Sequence, residues 1–158
     1  MANILDKIFA AKKVELGTTQ REIPLAEVKN KMGDQRDVIP IMDALKVSGE
    51  GSKIIAEVKR RTPFKGDLVE RFDPLAIART YADSGASAIS ILTESQFFGG
   101  ELETIEQASK AVSIPLLRKD FIFDGYQVYR WPIASLTPGD AITDDKKSAA
   151  WIYVIWPR

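Results

Sequence analysis

The spacing of apolar residues in this chain changes near position 50, and the change divides it. Before that point Ile4, Leu5, Ile8, Phe9 and Ala11 fall near one face of a helix behind Asn3, a good capping residue. A helix that stops by Gly17 is the expectation. Pro24 at a first-turn position, followed by Leu25 and Val28 and then Gly33, predicts a second helix, and Ile41 to Val47 a third. Together these read as an N-terminal helical extension over residues 1–50, either an appendage or a lid.

From residue 51 onward, apolar runs of strand length alternate with helical patterns. Lys53 to Val58 is a β-branched run behind the turn-like Ser48, Gly49, Glu50, Gly51, and reads as a buried strand. Asp73 and Pro74 open a helix whose apolar face is Leu75, Ile77, Ala78, Tyr81 and Ala82, with Gly85 as its stop. Ala88 to Leu92 is the next buried strand. Glu101 to Val112 is the next helix, Leu116 to Lys119 a third strand, and Asp124 caps a helix beginning at Tyr126. The strand starts at 53, 88 and 116 have the spacing of βα units with right-handed crossovers, so residues 51–129 are expected to be α/β with a parallel sheet.

Beyond Arg130 the pattern fails. All three tryptophans lie at Trp131, Trp151 and Trp156, no glutamate follows Glu106, and Pro132 interrupts the helix begun at Tyr126. Residues 130–158 therefore read as an atypical tail. Within it Trp151 to Trp156 is either a fourth buried strand or an aggregation-prone apolar segment.

Composition then narrows the chemistry. With 22 Lys+Arg against 22 Asp+Glu there is no net charge to collect nucleic acid or an anionic membrane surface. No apolar run reaches the length of a membrane span and no secretory pattern opens the chain, so the cytoplasm is the default. The chain has no Cys and no His. Disulfides, thiol nucleophiles and histidine general bases are thereby excluded, and catalysis falls to Lys, Glu, Asp or hydroxyls.

The first strand carries charge where it should be apolar. Glu57 and Lys59 interrupt its end, and a period of two puts both on the face of Ile55. Buried, unpaired charges are costly, so they either form an ion pair at a strand end or line a solvated mouth where catalysis in βα folds is concentrated. The third strand repeats the arrangement with Lys119 on the face of Leu117 and Arg118 and Asp120 on the other, the latter two reading as a structural pair. Two lysines from separate strands suit an anionic substrate. Desolvation beside another cation would also make a lysine usable as a general acid. RRTPFKG at 60–66 is a basic turn suited to a phosphate, although it is neither a P-loop nor GxGxxG. Phe97, Phe98, Gly99 and Gly100 either wall an apolar pocket or pack over the rim.

IIAEVKRRTPFKG at 54–66, DPLAIARTYADSGASAISILTE at 73–94, FFGG at 97–100 and PLLRKDFIFDGYQVY at 115–129 resemble segments of the indole-3-glycerol-phosphate synthase family, in order and on consecutive βα units. The resemblance covers residues 1 to about 129. It implies a (β/α)8 TIM barrel, here its first three to four βα units behind the helical extension. It also implies a carboxy-lyase of tryptophan biosynthesis that uses no cofactor and no metal. That reaction converts 1-(o-carboxyphenylamino)-1-deoxyribulose 5-phosphate to indole-3-glycerol phosphate with loss of carbon dioxide and water. By the same resemblance Lys119 is the general acid, Lys59 holds substrate anions, either carboxylate or phosphate, and Glu57 orients Lys59 and the pocket. Thr62 and Pro63 stand at substrate-binding positions, Thr62 where a serine is usual, and Phe98 and Phe121 lie beside the aromatic ring. The partner implied is a phosphorylated small molecule. The alternative is an inactive half-barrel that self-associates through open edges or needs a partner half.

Overall fold

A computed structural model describes residues 3–30, 41–46, 52–129 and 151–156 of this chain. In chain order the elements are α1 (Ile4–Glu22), α2 (Leu25–Asn30), α3 (Ile41–Leu45), β1 (Ile55–Val58), β2 (Arg61–Thr62), β3 (Gly66–Asp67), α4 (Pro74–Asp83), β4 (Ala88–Leu92), α5 (Leu102–Ala111), β5 (Leu116–Phe121), α6 (Gly125–Tyr129) and β6 (Trp151–Trp156). Gly33, Val47 and Pro132, invoked above as helix punctuation, fall outside the described residues.

The first helix starts as expected and ends elsewhere. Asn3 and Asp6 form a reciprocal capping box, each side chain accepting from the other's backbone N–H at 2.9–3.0 Å. The helix then runs through Gly17 to Glu22, correcting the predicted stop. An interior glycine costs only about 1 kcal/mol against alanine, and tertiary contacts further along outweigh it. The Tyr126 hydroxyl supplies one, lying 2.7 Å from the Ile23 carbonyl and 3.3 Å from that of Thr19. A residue from α6 thus bonds the Ile23 carbonyl at the helix end, and shares the Thr19 carbonyl with the Ile23 N–H, which donates to it at 2.9 Å.

Strands β1, β4 and β5 pair in parallel, with Glu57 opposite Ser90, Ser90 opposite Leu117 and Leu92 opposite Lys119. Side-chain alternation divides the sheet into two unlike faces. One presents Val58, Ile89, Ile91 and Leu116 to Ala78 of α4 and to Ile105 and Ala108 of α5, all at most 2% exposed. Each large aliphatic side chain so buried is worth about 1.5–3 kcal/mol. The opposite face carries Glu57, Ser90, Leu117 and Lys119, and near its lower end Ile41 of α3 packs on Ala88 and Leu117. The predicted parallel α/β order therefore holds over β1, β4 and β5.

One expectation needs correction, and one open alternative is decided in favour of a strand. The first strand is not buried along its length: Val58 is 2% exposed, but Ile54 is 58% and Ile55 44%. The reason is position, since the sheet order is β1-β4-β5-β6 and β1 lies at its edge. The last strand, over Trp151–Trp156, pairs with the whole of β5 but antiparallel, Leu116 opposite Trp156 and Phe121 opposite Trp151. A βα crossover returns a strand parallel to its predecessor, so β6 is no fourth repeat, and three βα strands are described. The basic turn at 60–66 is more ordered than a loop, its ends pairing as the β2–β3 hairpin.

Candidate active site

Glu57 accepts hydrogen bonds from the ammonium groups of both Lys59 and Lys119. Lys119 is 62 positions away in sequence and reaches it from β5 across β4. The residue of β4 level with Glu57 is Ser90, and a side chain that small leaves the space through which the two longer ones meet. All three charged groups are between 20% and 29% exposed, so the cluster opens to solvent while part of each side chain is shielded. The strand-end ion pair and the convergence of two lysines, alternatives at the sequence level, are one arrangement. Burial alone would raise the Glu57 carboxyl, but hydrogen bonds and positive charge from Lys119 and Lys59 outweigh it and hold the group below its ordinary value. The cluster is thus a carboxylate gripping two ammonium donors at the C-terminal ends of β-strands, the end at which βα enzymes place their chemistry.

Aromatic residues flank β5 at the same end. Phe98, on the loop after β4, lies 6.1 Å from Phe121 between ring centroids with the planes tilted by 33°. Phe9 of α1 meets Phe121 edge-on at 5.7 Å, and Phe123 at 5.8 Å. Thr62 and Pro63 sit apart from this group in the β2–β3 hairpin, where the Thr62 hydroxyl accepts from the Lys65 N–H at 3.1 Å. Among the described residues no hydrogen bond joins Thr62 to the Glu57 cluster. Phe64, in the same turn, is 81% exposed.

Behind β5 is a second, buried set of charges. Asp120 pairs with Arg118 at 2.6 Å and with Lys12 of α1 at 3.1 Å, and accepts from the Thr93 hydroxyl at 3.0 Å. The Arg118–Asp120 pair is therefore as expected, while Lys12 was missed. Its signal was present, because Lys12 follows Ile8 by one helical turn on the apolar side of α1. Glu94 was also passed over. It is 1% exposed and takes three backbone N–H groups, from Gln96, Phe97 and Phe98. A charged residue two positions after a fully buried strand was the available sign. Among the described residues no group of three or more acidic, His or Cys side chains is placed to hold a metal ion, and no helix is long and apolar enough to cross a membrane.

Three parallel strands with their connecting helices α4 and α5 on one face, and lysine–carboxylate chemistry at the C-terminal strand ends of the other, define a βα-repeat protein. Within that class the chain belongs to the indole-3-glycerol phosphate synthase family, whose model, described by that name, matches residues 5–142. The match ends inside the segment that reads as an atypical tail. An indole-3-glycerol phosphate synthase of Burkholderia ambifaria is 43% identical over 130 residues, which is 81% of this chain and 49% of that protein. One from Microcystis aeruginosa is 42% identical over 127 residues, 80% of this chain and 43% of the relative. One from Burkholderia vietnamiensis is 43% identical over 130 residues, again 49% of its length. The chain spans about half the length of the curated relatives it matches.

Proposed function

We propose that this chain carries the lysine-bearing part of an indole-3-glycerol phosphate synthase active site. The observation that carries the reading is the hold of Glu57 on Lys59 and Lys119 at once. The substrate has a carbonyl to be attacked and two anionic groups, a carboxylate and a phosphate. Lys119 serves as general acid: as the aromatic ring carbon bonds to the ribulose carbonyl carbon, the carbonyl oxygen gains charge and takes the lysine's proton. Lys59 neutralises a substrate anion. Glu57 keeps both ammonium groups aimed at one place and balances their mutual repulsion, so the pair is pre-organised before substrate arrives. Phe98 and Phe121 hold the aromatic end, and Thr62 and Pro63 border the site from the hairpin. Loss of carbon dioxide and of water completes the indole. Closure of β1, β4 and β5 into a full (β/α)8 barrel belongs to the same reading.

The experiment is direct. Purified chain is supplied with 1-(o-carboxyphenylamino)-1-deoxyribulose 5-phosphate, and indole-3-glycerol phosphate is followed by fluorescence, with Lys119→Ala as control. Product formation lost in the variant supports the proposal; product formation unchanged in the variant removes it.

A second reading is favoured by β1, which among the described residues stands at the edge of the sheet with Ile54 and Ile55 58% and 44% exposed. An unpaired apolar strand edge is a template for pairing, so the chain in this reading is an inactive half-barrel that self-associates or takes up a partner half. A dimeric or larger mass in light scattering, together with absent turnover, supports it over the first.

A further inference from the structure

The Glu94 carboxylate has an unusual environment for a charge. It is 1% exposed, and among the described residues no lysine or arginine pairs with it. Its partners are three successive backbone amides: Gln96 donates to Oε1 at 3.1 Å, and Phe97 and Phe98 donate to Oε2 at 2.8 and 3.0 Å. The Glu94 carbonyl in turn accepts from the Gly100 N–H at 2.8 Å. Residues 95–100 are thus folded around one carboxylate. Gly99 has the left-handed φ of 64° that this path requires, and a Cβ on Gly100 would stand 2.2 Å from the Leu92 carbonyl oxygen. A buried charge without a counter-ion is expensive to keep, and what it holds in place is specific. The clamped loop presents the Phe98 ring to Phe121 at 6.1 Å. It also receives the β2–β3 hairpin, since Arg61 donates from its backbone N–H to the Phe98 carbonyl at 3.3 Å and from its guanidinium to that of Gln96 at 3.1 Å.

We infer that Glu94 is a positioning residue of the site: by clamping the loop after β4 it fixes Phe98 against Phe121, and so sets how tightly the aromatic end of the ligand is held. This rests on the function proposed above, in which Phe98 meets the aromatic ring. Glu94 itself touches no ligand. It acts through Phe98, and its effect must vanish when that ring is gone.

The test is a double-mutant cycle read as the affinity of the whole chain for indole-3-glycerol phosphate, with amide exchange alongside. Phe98→Ala weakens binding about tenfold and Glu94→Gln about fivefold, while the double variant is no weaker than Phe98→Ala alone. Exchange quickens at the amides of residues 96–98 in Glu94→Gln and stays slow in β4 and β5. Glu94→Asp, which keeps the charge but withdraws it by one methylene, restores part of the affinity; it replaces Glu94→Gln in the cycle if that variant does not fold. Additive losses, unchanged affinity in the single variant, or unaltered exchange at residues 96–98 would overturn the inference while leaving the function standing. A wild-type chain that does not bind indole-3-glycerol phosphate overturns both.

Discussion

The ammonium of Lys12 in α1 lies 3.1 Å from the carboxylate of Asp120 in β5, with the two side chains 4% and 1% exposed. One residue before Asp120 is Lys119, and one after it is Phe121, on whose ring Phe9 of α1 rests. The N-terminal helix is therefore fastened to the strand end that carries the candidate general acid. The sequence left open whether this segment is an appendage or a lid; its buried ion pair makes it part of the packed structure around β5.

Removing Lys12 breaks one charged contact of Asp120 while Arg118 still pairs with it at 2.6 Å. Lys12→Met is expected to lower unfolding free energy by about 1.5–3 kcal/mol, the usual worth of a hydrogen bond to a charged group, measured by urea denaturation at neutral pH. A loss below about 1 kcal/mol would mean that the pair is solvated in practice.

Asp120 also predicts an acid limb. Burial raises its carboxyl, but Arg118 and Lys12 bring it below the ordinary value of 3.8. A depressed carboxyl contributes stability that is present above the unfolded pKa and is lost as pH falls through the lower folded value. The thermal midpoint of the wild-type chain should hold down to about pH 4 and then drop. Asp120→Asn should start lower and lose less on acidification.

For the Glu57 cluster the expectation concerns rate. Lys119→Ala should cost about 10²- to 10⁴-fold in kcat, the usual worth of a general acid. Because Glu57 lies below its ordinary 4.5, the acid limb of kcat/KM that it governs should fall below pH 4.5, and Glu57→Gln should abolish that limb. A pH–rate profile of each variant decides the point.

Ser90 has a buried hydroxyl with no hydrogen-bond partner among the described residues. Ser90→Ala should therefore raise stability, by about 1 kcal/mol, whereas Ser90→Leu should fill the gap through which Glu57 and Lys119 meet and reduce turnover. Chemical denaturation and a rate assay of the same two variants check both signs.

Two glycines should respond oppositely to alanine. Gly17 sits inside α1 with open space where a Cβ would be, so Gly17→Ala should stabilise by about 1 kcal/mol. Gly100→Ala would set a methyl 2.2 Å from the Leu92 carbonyl oxygen and should destabilise by about 3 kcal/mol. Equal shifts in thermal midpoint would contradict this reading of the loop.

Much of the order of elements was legible in the chain, and the reason is local. Asp73 capping α4, the apolar spacing of Leu102, Ile105 and Ala108 in α5 and the unbroken run of β4 are decided within a turn or a strand, so periodicity and capping chemistry reveal them. The candidate lysines were legible for a similar reason: a charge at the end of an apolar strand is costly wherever the strand lies. Local rules failed at Gly17, where partners over 100 positions away carried the helix onward. They failed again at β1, because no pattern within Lys53 to Val58 says which strand will stand at an edge.

By itself the sequence determined that β1, β4 and β5 alternate with α4 and α5 between 52 and 129, that those three strands are parallel, and that Glu57, Lys59 and Lys119 face one way. Those properties follow from alternation and connection length, which act over a few residues at a time. Only the tertiary structure decided that Glu57 grips both lysines, that Lys12 and Phe9 bind α1 to the end of β5, and that Trp151–Trp156 runs antiparallel. Each depends on the distance between residues remote in sequence, and that distance is set when the sheet and its packed helices bury their common core.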